Sequence, residues 1–377
     1  MQKKLIALAI AGLSSAAFAQ SNVTIYGVMD LSFDSVAMNS GATAADTRNS
    51  FTRVTSNSSY IGFKGTEDLG DGLKAVFQIE QGLNSDGSAT IMGGTSRDTY
   101  VGVAGGFGTL VLGNLTSPTR ALGGRMEMMP GNTGIGDAVS LVGNLQNVNN
   151  TGTTGTFDTR LSNTVAYITP DYNGFNLVIG YMSGENKNFQ NAAAANAKAW
   201  DIGANYVSGP WDAGITFGKA DTGTNTAAAL DTNTNTRIGV GYNFGVAKVT
   251  AEVNRQKLEY SGSGDAEVTS YSVQGKYSLT PRGSLIASYT RAKDVHGANA
   301  AVVLPVGATS TSDSGARMIM VGYLHELSKR TTVKAVVARI NNDDNAAYDF
   351  SSGRVGAAGL GQGSNVQGVQ VGIRHSF

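Results

Sequence analysis

The sequence predicts an all-β protein: a 16-stranded antiparallel transmembrane β-barrel with short periplasmic turns and long extracellular loops. Three observations predict it. Strand-length segments alternate apolar and polar residues from Val23 to Phe377. The connections between them alternate short and long. Beyond the first twenty positions no apolar stretch approaches the roughly 18 residues of a spanning helix. Backbone groups in lipid must pair within the protein, which leaves a closed barrel as the remaining way across.

Met1 to Ala19 reads as a secretory signal peptide. Lys3 and Lys4 form its positive start, Leu5 to Leu13 its short apolar run, and Ala17-Phe18-Ala19 its small-residue cleavage site. Cleavage there leaves 20–377 as one barrel domain. The chain has 28 Lys+Arg against 28 Asp+Glu, so loss of Lys3 and Lys4 leaves a slight acidic excess and no footprint for nucleic acid. With no cysteine, an exported chain closes on hydrogen bonds and packing alone. Gly reaches 50 residues while Pro is only 6, a balance that suits curved strands and tight turns better than a disordered linker.

The first segment places Val23, Ile25, Met29, Leu31 and Phe33 on one face, with Thr24, Tyr26, Asp30, Ser32 and Asp34 on the other. Leu73, Ala75, Phe77 and Ile79 oppose Lys74, Gln78 and Glu80. Phe175 to Tyr181, Trp200 to Tyr206, Trp211 to Phe217, Ile238 to Phe244, Val249 to Val253 and Tyr271 to Tyr277 repeat the period. In the final segment Val369, Val371, Ile373 and Phe377 share one side, with His375 as a polar intruder. Around Leu110 to Leu112 and Met318 to Met320 both faces are apolar, as expected where subunits pack. Tyr167, Trp200, Trp211, Phe217, Tyr277 and Tyr323 lie near segment ends, where interfacial girdles and ordinary cross-strand pairing both place aromatics.

Short turns are 67–72, 105–108, 169–174, 208–211, 280–283 and 328–331. Long connections are 37–50, 83–96, 116–159, 185–197, 220–235, 295–314 and 341–362. A β-sandwich would not alternate its connections in this way. The longest, 116–159, exceeds what a compact domain tolerates without purpose. It is expected to fold into the barrel and narrow the lumen.

Asn22 to Leu31 (NVTIYGVMDL), Ser59 to Gly72 (SYIGFKGTEDLGDG), Tyr100 to Leu112 (YVGVAGGFGTLVL), Arg160 to Pro170 (RLSNTVAYITP), Leu327 to Thr331 and the terminal VQVGIRHSF resemble the general-diffusion porins of Gram-negative bacteria, in particular the β-proteobacterial type. The resemblance implies an outer-membrane homotrimer in contact with lipid and lipopolysaccharide. It also implies a third loop in the pore and passive flow of ions and small hydrophilic solutes. Phe377 would be the signal read by the barrel-assembly machinery. Family members often carry Arg where this chain has Tyr60 and Gly113-Asn114, which implies a less positive constriction here.

A diffusion pore works through the field between charges lining a narrow aqueous gap. The loop offers Glu127, Asp137 and Asp158, with Arg120 and Arg125 to anchor it or line the gap. Inward parity falls on Lys64, Lys74, Arg160, Arg237, Lys248, Lys276, Lys334 and Arg374. Charges there avoid the cost of facing lipid. Arg160, at the loop's end, is expected to face loop carboxylates across the constriction.

Other motifs are weak. Asp231 to Asn235 imitates a calcium loop but has Thr236 and Tyr242 where Gly and Glu are needed. Gly356 to Gly363 is glycine-rich with no helix to hold a phosphate. Three scattered histidines suggest neither a metal cluster nor a base–nucleophile pair, so no cofactor, metal or catalytic residue is assigned. A substrate-specific channel, an outer-membrane enzyme and a plugged structural barrel remain alternatives to the diffusion pore.

Overall fold

Among the described residues, seventeen strands form one antiparallel sheet that closes on itself. The computed structural model describes residues 22–39, 50–87, 90–94, 96–143, 157–184, 197–223, 230–262, 264–298, 303–304, 308, 310–352, 354–355 and 360–377. The predicted signal peptide and most of the 37–50 and 185–197 connections lie outside the described residues.

In chain order the strands are β1 (Asn22–Met38), β2 (Ser50–Ser56), β3 (Tyr60–Gly70), β4 (Leu73–Gly82), β5 (Ser96–Gly105), β6 (Gly108–Thr116), β7 (Arg160–Ile168), β8 (Phe175–Met182), β9 (Lys198–Ser208), β10 (Trp211–Asp221), β11 (Leu230–Asn243), β12 (Ala247–Tyr260), β13 (Gly264–Ser278), β14 (Gly283–Ala292), β15 (Ala316–Ser328), β16 (Thr331–Asn342) and β17 (Val366–Ser376). Helix α1 (Pro118–Met126) interrupts the series. From β3 onward each strand pairs with the next, β1 pairs with both β2 and β3, and β1 pairs with β17 from Val28↔Ser376 to Met38↔Val366, closing the wall.

β2 and β3 are two halves of one wall strand, so sixteen strands surround the lumen. β2 pairs with Leu31–Ala37 and β3 with Asn22–Val28 of the same β1. The break falls at 57–59, where Ser58 takes a positive φ of 58°. The Asn57 amide donates to the Asp30 carbonyl at 2.8 Å, its Nδ2 donates to Ser32 Oγ at 2.8 Å, and Ser59 Oγ accepts from the Asp30 amide at 3.0 Å. Buried side-chain polarity thus replaces the missing ladder bonds.

The period of two sorts residues as expected. Ile25, Phe33 and Val371 point outward and are 61%, 56% and 52% exposed. A soluble protein does not leave such a band bare, whereas lipid covers it. Phe175–Tyr206, Tyr181–Trp200 and Trp211–Tyr242 are directly opposed pairs with ring centres 4.4, 4.4 and 4.7 Å apart, so these aromatics pair across strands as well as mark the strand ends. His375, the polar intruder, is bonded to Thr331 Oγ1 at 2.9 Å. Phe377 exchanges backbone hydrogen bonds with Gly27 at 3.1 and 3.2 Å. Its ring occupies the space where a Cβ on Gly27 would lie 2.5 Å from Phe377 Cζ.

Two details depart from the sequence reading. β12 ends at Tyr260 and β13 begins at Gly264, so one connection on the long-loop rim is short. The two-sided apolar stretches also have causes inside the subunit. Met320 faces inward and is fully buried against Gly136 of loop 116–159, and Met318 is fully buried in the same cluster as Met129, Ile135, Val336, Ile340 and Tyr348. Val111 is buried inward with Leu115 and Ala166 against Tyr100.

Candidate functional site

The described part of loop 116–159 lies inside the barrel, and its own chemistry dictates how it starts. Ser117 caps α1 by accepting from the Arg120 amide at 3.0 Å, with Pro118 at the first helical position. Asp201 of β9 accepts from the Thr119 amide and hydroxyl, both at 3.0 Å, which sets a carboxylate at the positive end of the helix. Leu122 and Met126 sit over Gly214 and Gly239, where added Cβ atoms would lie 2.9 and 2.8 Å from their side chains. Wall glycines therefore make room for the helix. At its far end Thr250 Oγ1 and Lys248 Nζ donate to the carbonyls of Met126 and Arg125, and Arg125 pairs with Asp212 at 2.9 Å.

Beyond α1 the loop crosses to β13–β17. The Met128 amide bonds Gln274, Gly136 abuts Met320, Gly134 abuts Gln370, and Gly131 lies against the Arg374 guanidinium. Inward residues beneath it, such as Asn235, Asn254, Gln256, Ser272, Lys334 and Gln370, are buried. On β3–β5 the inward residues stay exposed or half-exposed: Lys64, Lys74, Gln78, Tyr60 and Tyr100. The aqueous path therefore runs beside β3–β5.

Glu127, half-buried, and Asp137, buried, spend their carboxyl oxygens on donors of the loop and the wall. Glu127 Oε1 accepts from the amides of Met128 and Met129 at 2.9 and 3.0 Å, and Oε2 accepts from Ala138 at 2.9 Å and Gln274 at 3.3 Å. One carboxylate thus holds the turn together. Asp137 caps the next turn by accepting from the Val139 amide at 3.1 Å. Asp158 pairs with Arg120 at 3.2 Å and with Arg237 at 2.7 Å. With Glu252 these groups line a partly open cavity of about 30 Å³ between the loop and β11–β12. Burial, with the neighbouring Glu127 charge, pushes the Asp137 carboxyl well above the usual carboxylate range. Burial raises Glu127 as well, against the pull of its backbone donors.

The bases divide into two groups. Arg237 and Lys334, at 1% and 0% exposure, are buried in the wall, Lys334 against Asp30 at 2.7 Å. Arg374 also reaches Asp30, at 3.1 Å, but stays partly exposed beside the loop. Lys64 stands free in the path with its Nζ 4.9 Å from the Tyr26 ring centre. Lys74 opposes Asp68, where β3 turns into β4, well away from the loop. Lys248 and Lys276 are opposed across β12 and β13, and Lys248 reaches the Arg125 carbonyl at the far end of α1. Arg160 pairs with Asp98 on β5 at 3.1 Å, a wall carboxylate and not the loop carboxylate expected.

Sequence reasoning missed Arg97. Strict alternation sets it with outward Thr99 and Val101, but the β4–β5 register shifts between Ile79 and Gln81. The bulge turns Arg97 inward onto Glu80 at 3.0 Å and over Tyr60, 4.1 Å from the ring centre. A guanidinium thus sits at Tyr60 after all, supplied by the neighbouring hairpin. No period-two signal carries a bulge, so this residue was hidden.

The Gram-negative porin family model matches residues 5–345. Outer membrane porin protein 32 of Delftia acidovorans is 32% identical over 380 residues, covering 100% of each chain. An outer membrane porin protein of Bordetella pertussis is 28% identical over 419 residues, again covering 100% of each. The anion-selective porin from Comamonas acidovorans superposes with a TM-score of 0.77 at 27% identity, over 95% of this chain and 100% of that one. Closed barrel, internal loop and full-length likeness agree: the chain belongs to the Gram-negative porin family and is an outer-membrane diffusion porin.

Proposed function

We propose that this porin passes anions in preference to cations, although its acidic and basic residues are equal in number. One observation carries the reading: in four lumen ion pairs whose base stays partly exposed, the carboxylate is the more deeply buried member. Side-chain exposure is 32% for Arg120 against 10% for Asp158, 21% for Arg374 against 0% for Asp30, and 18% for Arg53 against 0% for Asp34. Arg97 at 16% covers Glu80 at 8%. Arg160 at 16% against Asp98 at 23% runs the other way, as does Arg237 at 1% against Asp158 at 10% and Glu252 at 4%, although Arg237 lies buried in the wall; exposed Lys64 has no ion-pair partner among the described residues. A passing ion feels the nearest unscreened charge most, so guanidinium and ammonium groups dominate the path. The Comamonas relative's name, an anion-selective porin, accords with this.

Planar-bilayer recording in a potassium chloride gradient tests it. The zero-current potential should take the sign of chloride preference. Removing Arg97 and Lys64 together by alanine substitution should bring it toward zero, and Arg160→Ala, which strands Asp98, should move it toward potassium. A wild-type potential of the potassium sign would sink the reading. The same proposal includes cleavage after Ala19, a homotrimer seen as triple conductance steps, contact with lipopolysaccharide, and Phe377 as the assembly signal.

A further inference from the structure

We infer that the open side of the lumen holds a resting site for aromatic carboxylates, an inference that rests on the anion-preferring pore proposed above. Tyr26, Tyr60 and Tyr100 project inward from β1, β3 and β5. The Tyr26 and Tyr60 rings meet edge to face with centres 6.2 Å apart. All three are half-exposed to the path. Two cations stand on this shelf: the Arg97 guanidinium 4.1 Å from the Tyr60 ring centre and Lys64 Nζ 4.9 Å from that of Tyr26.

The shelf is built to hold still. Tyr26 donates to Glu80 Oε1 at 2.8 Å, and Arg97 pairs with Glu80 Oε2 at 3.0 Å, so one buried carboxylate fixes a ring and a guanidinium together. Its charge is spent on those contacts, while that of exposed Lys64 is not. Any small anion gains from Lys64 and Arg97. Only an aromatic one also gains from ring edges and faces already arranged and partly dry. A pore that needed charge alone would have no use for three tyrosines beside its cations.

The test is chloride current through bilayer-inserted protein, titrated separately with benzoate, cyclohexanecarboxylate and acetate. Benzoate should reduce the current saturably, with a half-blocking concentration about three- to tenfold below that of cyclohexanecarboxylate. Tyr60→Leu should abolish that gap, and Tyr60→Phe should keep it. Retained heat-modifiable mobility on gels reports folding, and Tyr100→Leu serves if Tyr60→Leu does not assemble. Equal block by the two acids, or a gap that survives both leucine variants, overturns the inference. With a chloride-sign potential, such a result removes the aromatic site and leaves anion preference standing. With a potassium-sign potential, a saturable tyrosine-dependent block upholds the site without the wider reading, and its absence removes both.

Discussion

Replacing Glu127 with alanine should loosen the internal loop and turn a steady pore into a noisy, wider one. Glu127 is the acceptor for the Met129 and Ala138 amides and shares that of Met128 with Gln274. Stranding a buried amide costs about 1–3 kcal/mol, so two of them rival what packing returns to a loop of this kind. Single-channel conductance should rise and fluctuate between levels, while chloride preference persists because Arg97 and Lys64 belong to the wall. Glu127→Gln keeps one oxygen acceptor but sets an amide nitrogen against the other donors, and should fall between. An alanine variant with the conductance and noise of the parent would show that apolar packing of Met129 and Ile135 holds the loop unaided.

Asp137 behaves oppositely. Its carboxyl is raised above the usual value, so the attached loop binds its proton more tightly than a released loop would. Attachment is therefore strengthened as pH falls below the raised value toward that of the released loop, and this gain is lost as pH rises back through the raised value. Asp137→Asn should keep the Val139 cap, remove that pH dependence and leave the loop at least as firmly held at neutral pH. Channel noise recorded across a pH series checks this; a steeper dependence in the variant would contradict it.

The second large effect is expected at the barrel seam. Asp30 on β1 receives Lys334 of β16 at 2.7 Å and Arg374 of β17 at 3.1 Å, and neither Asp30 nor Lys334 is exposed at all. Asp30→Ala leaves an ammonium buried without its partner, which costs about 3–5 kcal/mol. The temperature at which the folded band disappears on gels should drop accordingly. Asp30→Leu combined with Lys334→Met should recover most of the loss, because removing both charges spares their desolvation. A double variant no more stable than Asp30→Ala would mean that the pair contributes something packing does not replace, and an unchanged Asp30→Ala would mean that the seam is held elsewhere.

Much of this molecule was legible in one dimension. A strand exposes alternate residues to alternate sides whatever surrounds it, so the outward band, the inward lysines and arginines, the turn rims and the existence of an inserted loop all follow from local order. Long-range contacts leave no such periodic mark. The inward burial of Met318 and Met320 was not legible, because nothing local announces the distant segments that pack on the inner wall. Glu127, Asp137 and Asp158 read as lumen charges because an aperiodic loop does not disclose which way its side chains turn.

By itself the sequence determined the barrel, its membrane setting and which strand residues face the lumen, since steric alternation along a strand is a nearest-neighbour property. Only the tertiary structure decided which of those charges remain in contact with passing ions. A bulge between Ile79 and Gln81 aims Arg97 inward, and hydrogen bonds and ion pairs take up the loop's carboxylates. Both depend on what distant segments place beside a residue, and desolvation is set by those neighbours.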